Sequence, residues 1–258
     1  MQFRRFPYLD HPGPLAFAHR GGTEAAPENT MAAFEHAVGL GYRYLETDAR
    51  ATADGVLVAF HDDTLDRLSD RPGRISDLPW SEIATVRLAG GHAIPRLEDL
   101  LTAWPDVRIN IDPKSDRAAA LLPDLLARTG TVDRVCVGSF SDARTARIRA
   151  ALGPALCTSM GPNAVARLRF RSWGIPVRTE FPEAAVQVST HWRGVRVVDR
   201  SFVGTAHRLG LQVHVWTIND PAEMHRLLDL GVDGLMTDRP AVLKKVLEDR
   251  RSWAGRGC

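Results

Sequence analysis

Short apolar, β-branched runs alternate along the chain with longer segments whose apolar residues recur at helical spacing. The short runs predict strands at Leu15–Ala18, Tyr42–Arg50, Val56–Phe60, Val107–Ile111, Arg134–Gly138, Ala155–Thr158, Ala185–Val188, Gln212–Trp216 and Asp233–Met236. The longer ones predict helices at Thr30–Leu40, Leu97–Ala103, Arg117–Arg128, Asp142–Ala151, Ala164–Arg171, Phe202–Leu209, Pro221–Leu230 and Pro240–Glu248. Asn29 is the expected cap of the first helix and Gly41 its stop. With Val56–Phe60 set aside, strands and helices alternate as parallel βαβ units, which fits an α/β fold of the (β/α)8 TIM-barrel type. An open doubly wound sheet is the second choice, weakened because no GxGxxG follows a strand.

The turn at Asp54-Gly55 is too short for a parallel crossover, so Val56–Phe60 must return antiparallel as a β-hairpin. A turn at 53–54 brings His61 opposite Glu46. Residues 62–95 form a loop insertion after the second strand, punctuated by Pro72, Gly73, Pro79, Gly90, Gly91 and Pro95.

The 258 residues, 44% of them hydrophobic, are expected to form a single domain over 1–258. A net charge of +2 without basic blocks argues against a nucleic-acid partner. Cys136, Cys157 and Cys258 form no CxxC pair, which points to a reducing compartment. No long apolar run follows Arg4-Arg5, and none reaches membrane-spanning length, so the expectation is a cytoplasmic protein with no signal peptide and no transmembrane segment. Arg250, Arg251 and the tail to Cys258 read as a frayed end.

In a barrel, polar residues at the carboxyl ends of strands build the active site. His19 and Arg20 end the first strand, and Glu46 and Asp48 share one face of the second. Asp112 and Lys114 follow the strand from Val107, and Trp216 ends the strand from Gln212. Three carboxylates, Glu46, Asp48 and Asp112, suit one hard divalent cation, Mg2+ or Ca2+. His19 and His61 suit a general acid–base pair. Arg20 and Lys114 would neutralise a phosphate. Lys114 could instead pair with Asp116. Trp216 is either core or the wall of a headgroup pocket. The other seven histidines read as packing or surface residues.

With these residues in place, the chain resembles the glycerophosphodiester phosphodiesterase family. The stretches that carry the resemblance are AHRGGTEAAPENT, LETDARATADGVLVAFHDDTLDR, IPRLEDLL, NIDPK, GSF, VHVWTIN and GVDGLMTDRP, in family order from residue 16 to about 240. The resemblance implies hydrolysis of glycerophosphodiesters to sn-glycerol 3-phosphate and an alcohol. It implies His19 and His61 as acid and base, and Glu46, Asp48 and Asp112 as metal ligands. It also implies Arg20 and Lys114 on the phosphoryl group, Glu28 orienting the His-Arg loop, and the insertion covering the site mouth. Asp112 stands where many members carry glutamate, and Pro113 separates it from Lys114. Two other readings remain at this stage: a lysophospholipase D acting on lysophospholipids, and a non-catalytic barrel that binds phosphate esters.

Overall fold

The computed structural model describes residues 6–69 and 71–255. Residues 1–5 and Cys258, on which parts of the terminal readings rest, lie outside the described residues. Eight parallel strands make the barrel: β1 (Leu15–His19), β2 (Tyr44–Ala51), β4 (Arg108–Pro113), β5 (Val135–Val137), β6 (Cys157–Thr158), β7 (Ala185–Val188), β10 (Gln212–Val215) and β11 (Gly234–Thr237). β3 (Leu57–Ala59) pairs antiparallel with β2, and β8 (His191–Trp192) with β9 (Val195–Arg196) makes a small separate hairpin. The helices are α1 (Met31–Gly39), α2 (Trp80–Ile83), α3 (Leu97–Ala103), α4 (Asp116–Thr129), α5 (Asp142–Leu152), α6 (Pro162–Ser172), α7 (Arg200–Arg208), α8 (Pro221–Asp229) and α9 (Pro240–Asp249).

The sheet runs β6-β5-β4-β2-β1-β11-β10-β7. A single parallel bridge between Ser159 and Ala185 joins its two ends, with Met160 N donating to Ala185 O at 2.9 Å. The helices start where the chain offers caps: Ser115, Ser141, Asp199 and Asp220 each accept a backbone N–H from the first turn of α4, α5, α7 and α8.

Alternation along the strands sorts residues into two cores. Leu45, Ile109, Ile111 and Val137 point outward to the helices. Leu15, Phe17, Tyr44, Cys136, Cys157 and Met236 fill the barrel interior. A 3-10 turn at Pro7–Leu9 plugs the bottom, where the Tyr44 hydroxyl donates to Tyr8 O at 2.8 Å. Above that apolar floor lies a polar layer. Gln187 Nε2 donates to Asn110 Oδ1 at 2.9 Å and to His214 Nδ1 at 3.4 Å, and His214 Nε2 donates to Gln212 Oε1 at 3.0 Å.

Besides the short helix α2 inside the expected loop insertion, the structure departs from the sequence expectations in four places. Thr30, not Asn29, caps α1: its hydroxyl accepts from Ala33 N at 3.2 Å. The β2–β3 hairpin closes at Thr52 and Val56, and its three-residue turn sets the register Ala49↔Ala59 and Arg50↔Val58. That pairing aligns residue 61 with Thr47 rather than Glu46. Residues 252–255 are docked, not frayed: Trp253 packs edge-on to Tyr42 at 5.2 Å, and Arg43 Nε donates to Gly255 O. Apolar contact with the barrel wall outweighs the end's chain entropy there. The β8–β9 hairpin was not foreseen, because its two-residue strands carry no readable period.

Burial holds the His214 imidazole down to about 4, against the opposing charge of Asp233. Unfolded His214 takes up a proton below about 6.5, while the folded ring stays neutral until about 4. Its contribution is therefore complete above pH 6.5 and lost as pH falls towards 4, about 3 kcal/mol in all. Urea unfolding free energies of the wild type should fall more steeply across that window than those of His214→Gln. Parallel slopes would refute this assignment.

Candidate active site

Strand parity carries the site up from the barrel interior. Two residues beyond Phe17 comes His19. Two and four beyond Tyr44 come Glu46 and Asp48, and two beyond Asn110 comes Asp112. Asp48 and Asp112 are register partners on neighbouring strands. The His19-Arg20-Gly21-Gly22 segment leaves β1 through consecutive positive φ angles of 53°, 82° and 88° at Arg20, Gly21 and Gly22. A Cβ on Gly21 would meet Phe34 N at 2.8 Å, and one on Gly22 would meet Pro240 Cγ at 2.5 Å, so both glycines are required by close packing.

His19 is held on both sides. Its Nδ1 donates to Asp238 Oδ1 at 2.6 Å, and its Nε2 lies 3.7 Å from Glu46 Oε2. Asp238 Oδ2 accepts from Asn219 Nδ2 at 2.9 Å, and Asn219 Oδ1 in turn accepts from Asp238 N and the Thr237 hydroxyl. Burial pushes the His19 imidazole down, but Glu46 and the Asp238 hydrogen bond outweigh it, leaving it above its ordinary value.

The carboxylates form a row with cations between them. Glu46 Oε2 accepts the Arg20 backbone N–H at 3.1 Å. Arg20 Nε lies 3.0 Å from Asp48 Oδ2, and its Nη1 donates to Glu28 Oε1 at 2.9 Å. Lys114 Nζ sits 2.7 Å from both Asp48 Oδ1 and Asp112 Oδ2. Asp116, its alternative partner in the sequence, pairs with Arg144 instead. Burial pushes Asp48 up, yet Lys114 and Arg20 hold it below the usual carboxylate range. Burial leaves Asp112 above that range despite Lys114. Glu46 is pushed up to about 7, first by burial and further by Asp48.

His61 reaches this row from the hairpin. Arg50 Nε and Nη2 both donate to His61 O, at 3.0 and 2.8 Å. The His61 Nδ1 pairs with Asp62 Oδ1 at 2.6 Å, and the charge of the ring is felt at Asp48. Asp62 and Glu28 both accept from Arg67, which ties the insertion to the Arg20 side of the site. The insertion otherwise packs on a small core of its own, including Phe60, Leu65, Ile75 and Ile83. Trp216 stands at the rim above the interior cluster, 5.7 Å from the Phe140 ring and edge-on to it.

The chemistry of the donor set suits a hard cation, while its present spacing does not close around one. Glu46, Asp48 and Asp112 offer only oxygens, and burial with the charge of Asp48 holds Glu46 near 7 even against His19, Arg20 and Lys114. Among the described residues no three acid, imidazole or thiolate side chains converge on one point. The Lys114 ammonium occupies the space between Asp48 and Asp112, so a cation must share that space with it.

Four residues of this network were not singled out from the sequence. Asp238 follows the last strand by one position and was legible as another polar strand end. Arg50 continues the inward parity of Glu46 and Asp48. The sequence offers Asn29 as a cap. Instead it has φ 57° and is buried in the site, accepting from the Thr47 hydroxyl at 2.8 Å and donating to Asp48 Oδ2 at 3.1 Å. Arg67 lies in an aperiodic loop, where no pattern marks it.

Residues 19–242 match the Glycerophosphoryl diester phosphodiesterase family. A Mycobacterium tuberculosis protein named "Probable glycerophosphodiester phosphodiesterase 2" is 41% identical over 253 residues, covering 96% of each chain. Human "Lysophospholipase D GDPD1" is 27% identical, over 90% of this chain and 85% of that one. A crystal structure of a glycerophosphodiester phosphodiesterase from Agrobacterium tumefaciens superposes with a TM-score of 0.73 at 25% identity, over 89% of this chain and 99% of that one. A phosphodiesterase of Oleispira antarctica, solved in complex with the product sn-glycerol-3-phosphate, shares the fold with a TM-score of 0.76 at 23% identity, over 92% of this chain and 97% of that one. The barrel with its acid row at the strand ends thus belongs to the glycerophosphoryl diester phosphodiesterase family, and the protein is a phosphoric diester hydrolase.

Proposed function

We propose that the protein hydrolyses glycerophosphodiesters to sn-glycerol 3-phosphate and an alcohol by acid–base catalysis between His19 and His61. The observation that carries this reading is the hydrogen bond from His19 Nδ1 to Asp238, which commits that nitrogen and directs Nε2 toward the acid row. An imidazole held above its ordinary value is a competent donor near neutrality, so His19 protonates the leaving oxygen. His61, held at its backbone by Arg50, takes the proton from the attacking oxygen. That oxygen is either the substrate's glycerol 2-hydroxyl, giving a cyclic phosphate that water opens, or water itself.

Arg20 and Lys114 face the phosphoryl group, and Glu28 holds Arg20 in place. Glu46, Asp48 and Asp112 would hold one divalent cation, Mg2+ or Ca2+. The chemistry a cation supplies there when bound is neutralisation of phosphate and carboxylate charge. Trp216 with Phe140 lines the headgroup side. No described helix is long and apolar enough to cross a membrane, and the free thiols of Cys136 and Cys157, in register on neighbouring strands, support a cytoplasmic setting. A lysophospholipid substrate is the second reading, favoured by the aromatic pair at the rim and by the relative named as a lysophospholipase D.

Purified protein with Mg2+ or Ca2+ should release choline from glycerophosphocholine. EDTA should abolish release, and His19→Ala should lower it at least about 100-fold. Lysophosphatidylcholine run in parallel separates the two substrate classes. Release that survives both EDTA and His19→Ala would overturn the mechanism. Asp238→Asn should cost about 100-fold in kcat with KM little changed. It should also move the basic limb of the pH profile to lower pH, because the charge that helps keep His19 protonated is gone. Lys114→Met removes the ammonium paired with Asp112 and leaves Asp48 with Arg20 alone, and should lower urea stability in EDTA by about 3 kcal/mol, partly recovered by Ca2+.

A further inference from the structure

We propose that the rim formed by the last turn of α6, the segment after it and the β8–β9 hairpin docks the enzyme onto an anionic lipid surface. Large apolar side chains that stand exposed are few among the described residues, and five of them fall here: Phe170, Trp173, Ile175, Trp192 and Val195, each 43–55% exposed. Elsewhere among the described residues only Phe140 and Leu209 are comparably exposed.

The same stretch is basic. Residues 162–200 hold seven arginines against three acids, while the whole chain nets +2, so the rest of the chain is net acidic. Two of the three acids are already paired, Asp199 with Arg169 and Glu183 with Arg149. Arg171, Arg178, Arg193, Arg196 and Arg200 are exposed.

The two segments form one surface. Arg169 lies over the Trp173 ring at 4.5 Å and donates to Val197 O and Asp199. Val197 N closes the hairpin base on Thr190 O at 2.9 Å, and the Ser201 hydroxyl donates to Ser172 O. The hairpin rises from β7, whose last residue, Val188, accepts the Trp216 N–H at 3.1 Å. The hairpin therefore leaves β7 at the barrel end that carries the site, and the end of α6 packs against the hairpin's base.

The sequence pattern on this surface selects the partner. Apolar tips are followed directly by arginine in Phe170-Arg171, Val177-Arg178, Trp192-Arg193 and Val195-Arg196. A lipid surface presents phosphate and acyl layers at successive depths, which such pairs satisfy together: the apolar side chain inserts and the guanidinium stays at the phosphates. The surplus positive charge selects an anionic surface. A lipid-docked rim brings the mouth to substrates shed from, or still held in, that surface.

The test is co-sedimentation of the full chain with phosphatidylcholine vesicles, with and without phosphatidylglycerol. The wild type should partition onto the anionic vesicles, and added salt should weaken this. Trp173→Ser with Trp192→Ser, and separately Arg193→Glu with Arg196→Glu, should each lower partition at least about tenfold. Circular dichroism and hydrolysis of a soluble glycerophosphodiester should stay unchanged, showing that the fold survives. Partition that is absent, or equal in wild type and both variants, overturns the proposal. So does a solution dimer that the tryptophan variant dissolves while vesicles go unbound, because the patch is then a contact between copies. Binding is read without turnover, so its failure leaves the hydrolytic reading untouched.

Discussion

More carboxylate charge is buried at the barrel mouth than its walls can solvate, and the rest of the site is arranged to compensate it. Glu46 and Asp48 project from one face of β2, and Asp112 sits beside Asp48 in register. Like charges packed this closely stay ionised only with cations among them. Lys114 stands between two of the acids, and Arg20 spans from Glu46, through its backbone, to Asp48 and Glu28, through its side chain. The left-handed conformation of Arg20 and the glycine pair after it are what allow one residue to present both its N–H and its guanidinium to the row.

The two imidazoles are mounted differently. His19 belongs to a barrel strand and is backed by Asp238 and Asn219, from the end of β11 and the loop after β10. It inherits the rigidity of the closed sheet. His61 lies beyond the hairpin, gripped at its carbonyl by Arg50 and bordered by Asp62 and Arg67. Those ion pairs are partly exposed and individually weak. The insertion thus contacts the chemistry through a chain of charges, Arg67 to Glu28 to Arg20, rather than through a shared apolar core. Stability is graded accordingly, highest beneath His19 and lower around His61.

The alternation of strands and helices, the inward parity of Glu46 and Asp48, and the antiparallel return of the hairpin were all legible in the order of residues. They depend on local periods and turn lengths, which the chain carries wherever it folds. The choice of cap at the first helix was not legible, because Asn29 and Thr30 are both good caps and only the contact of Asn29 with Thr47 and Asp48 decides between them. The hairpin register turned on whether the turn holds two or three residues, which the Thr52–Val56 hydrogen bonds settle.

By itself, then, the sequence determined the barrel, its family and a row of candidate polar side chains at the strand ends, without Asp238 or Arg50. Tertiary structure alone decided which of these meet. Lys114 goes to Asp48 rather than Asp116, His19 finds Asp238 across 219 residues, and Arg67 crosses from the insertion to Glu28. Each is a long-range pairing between side chains with several possible partners. Charge does not specify a partner until the closed sheet has fixed the distances.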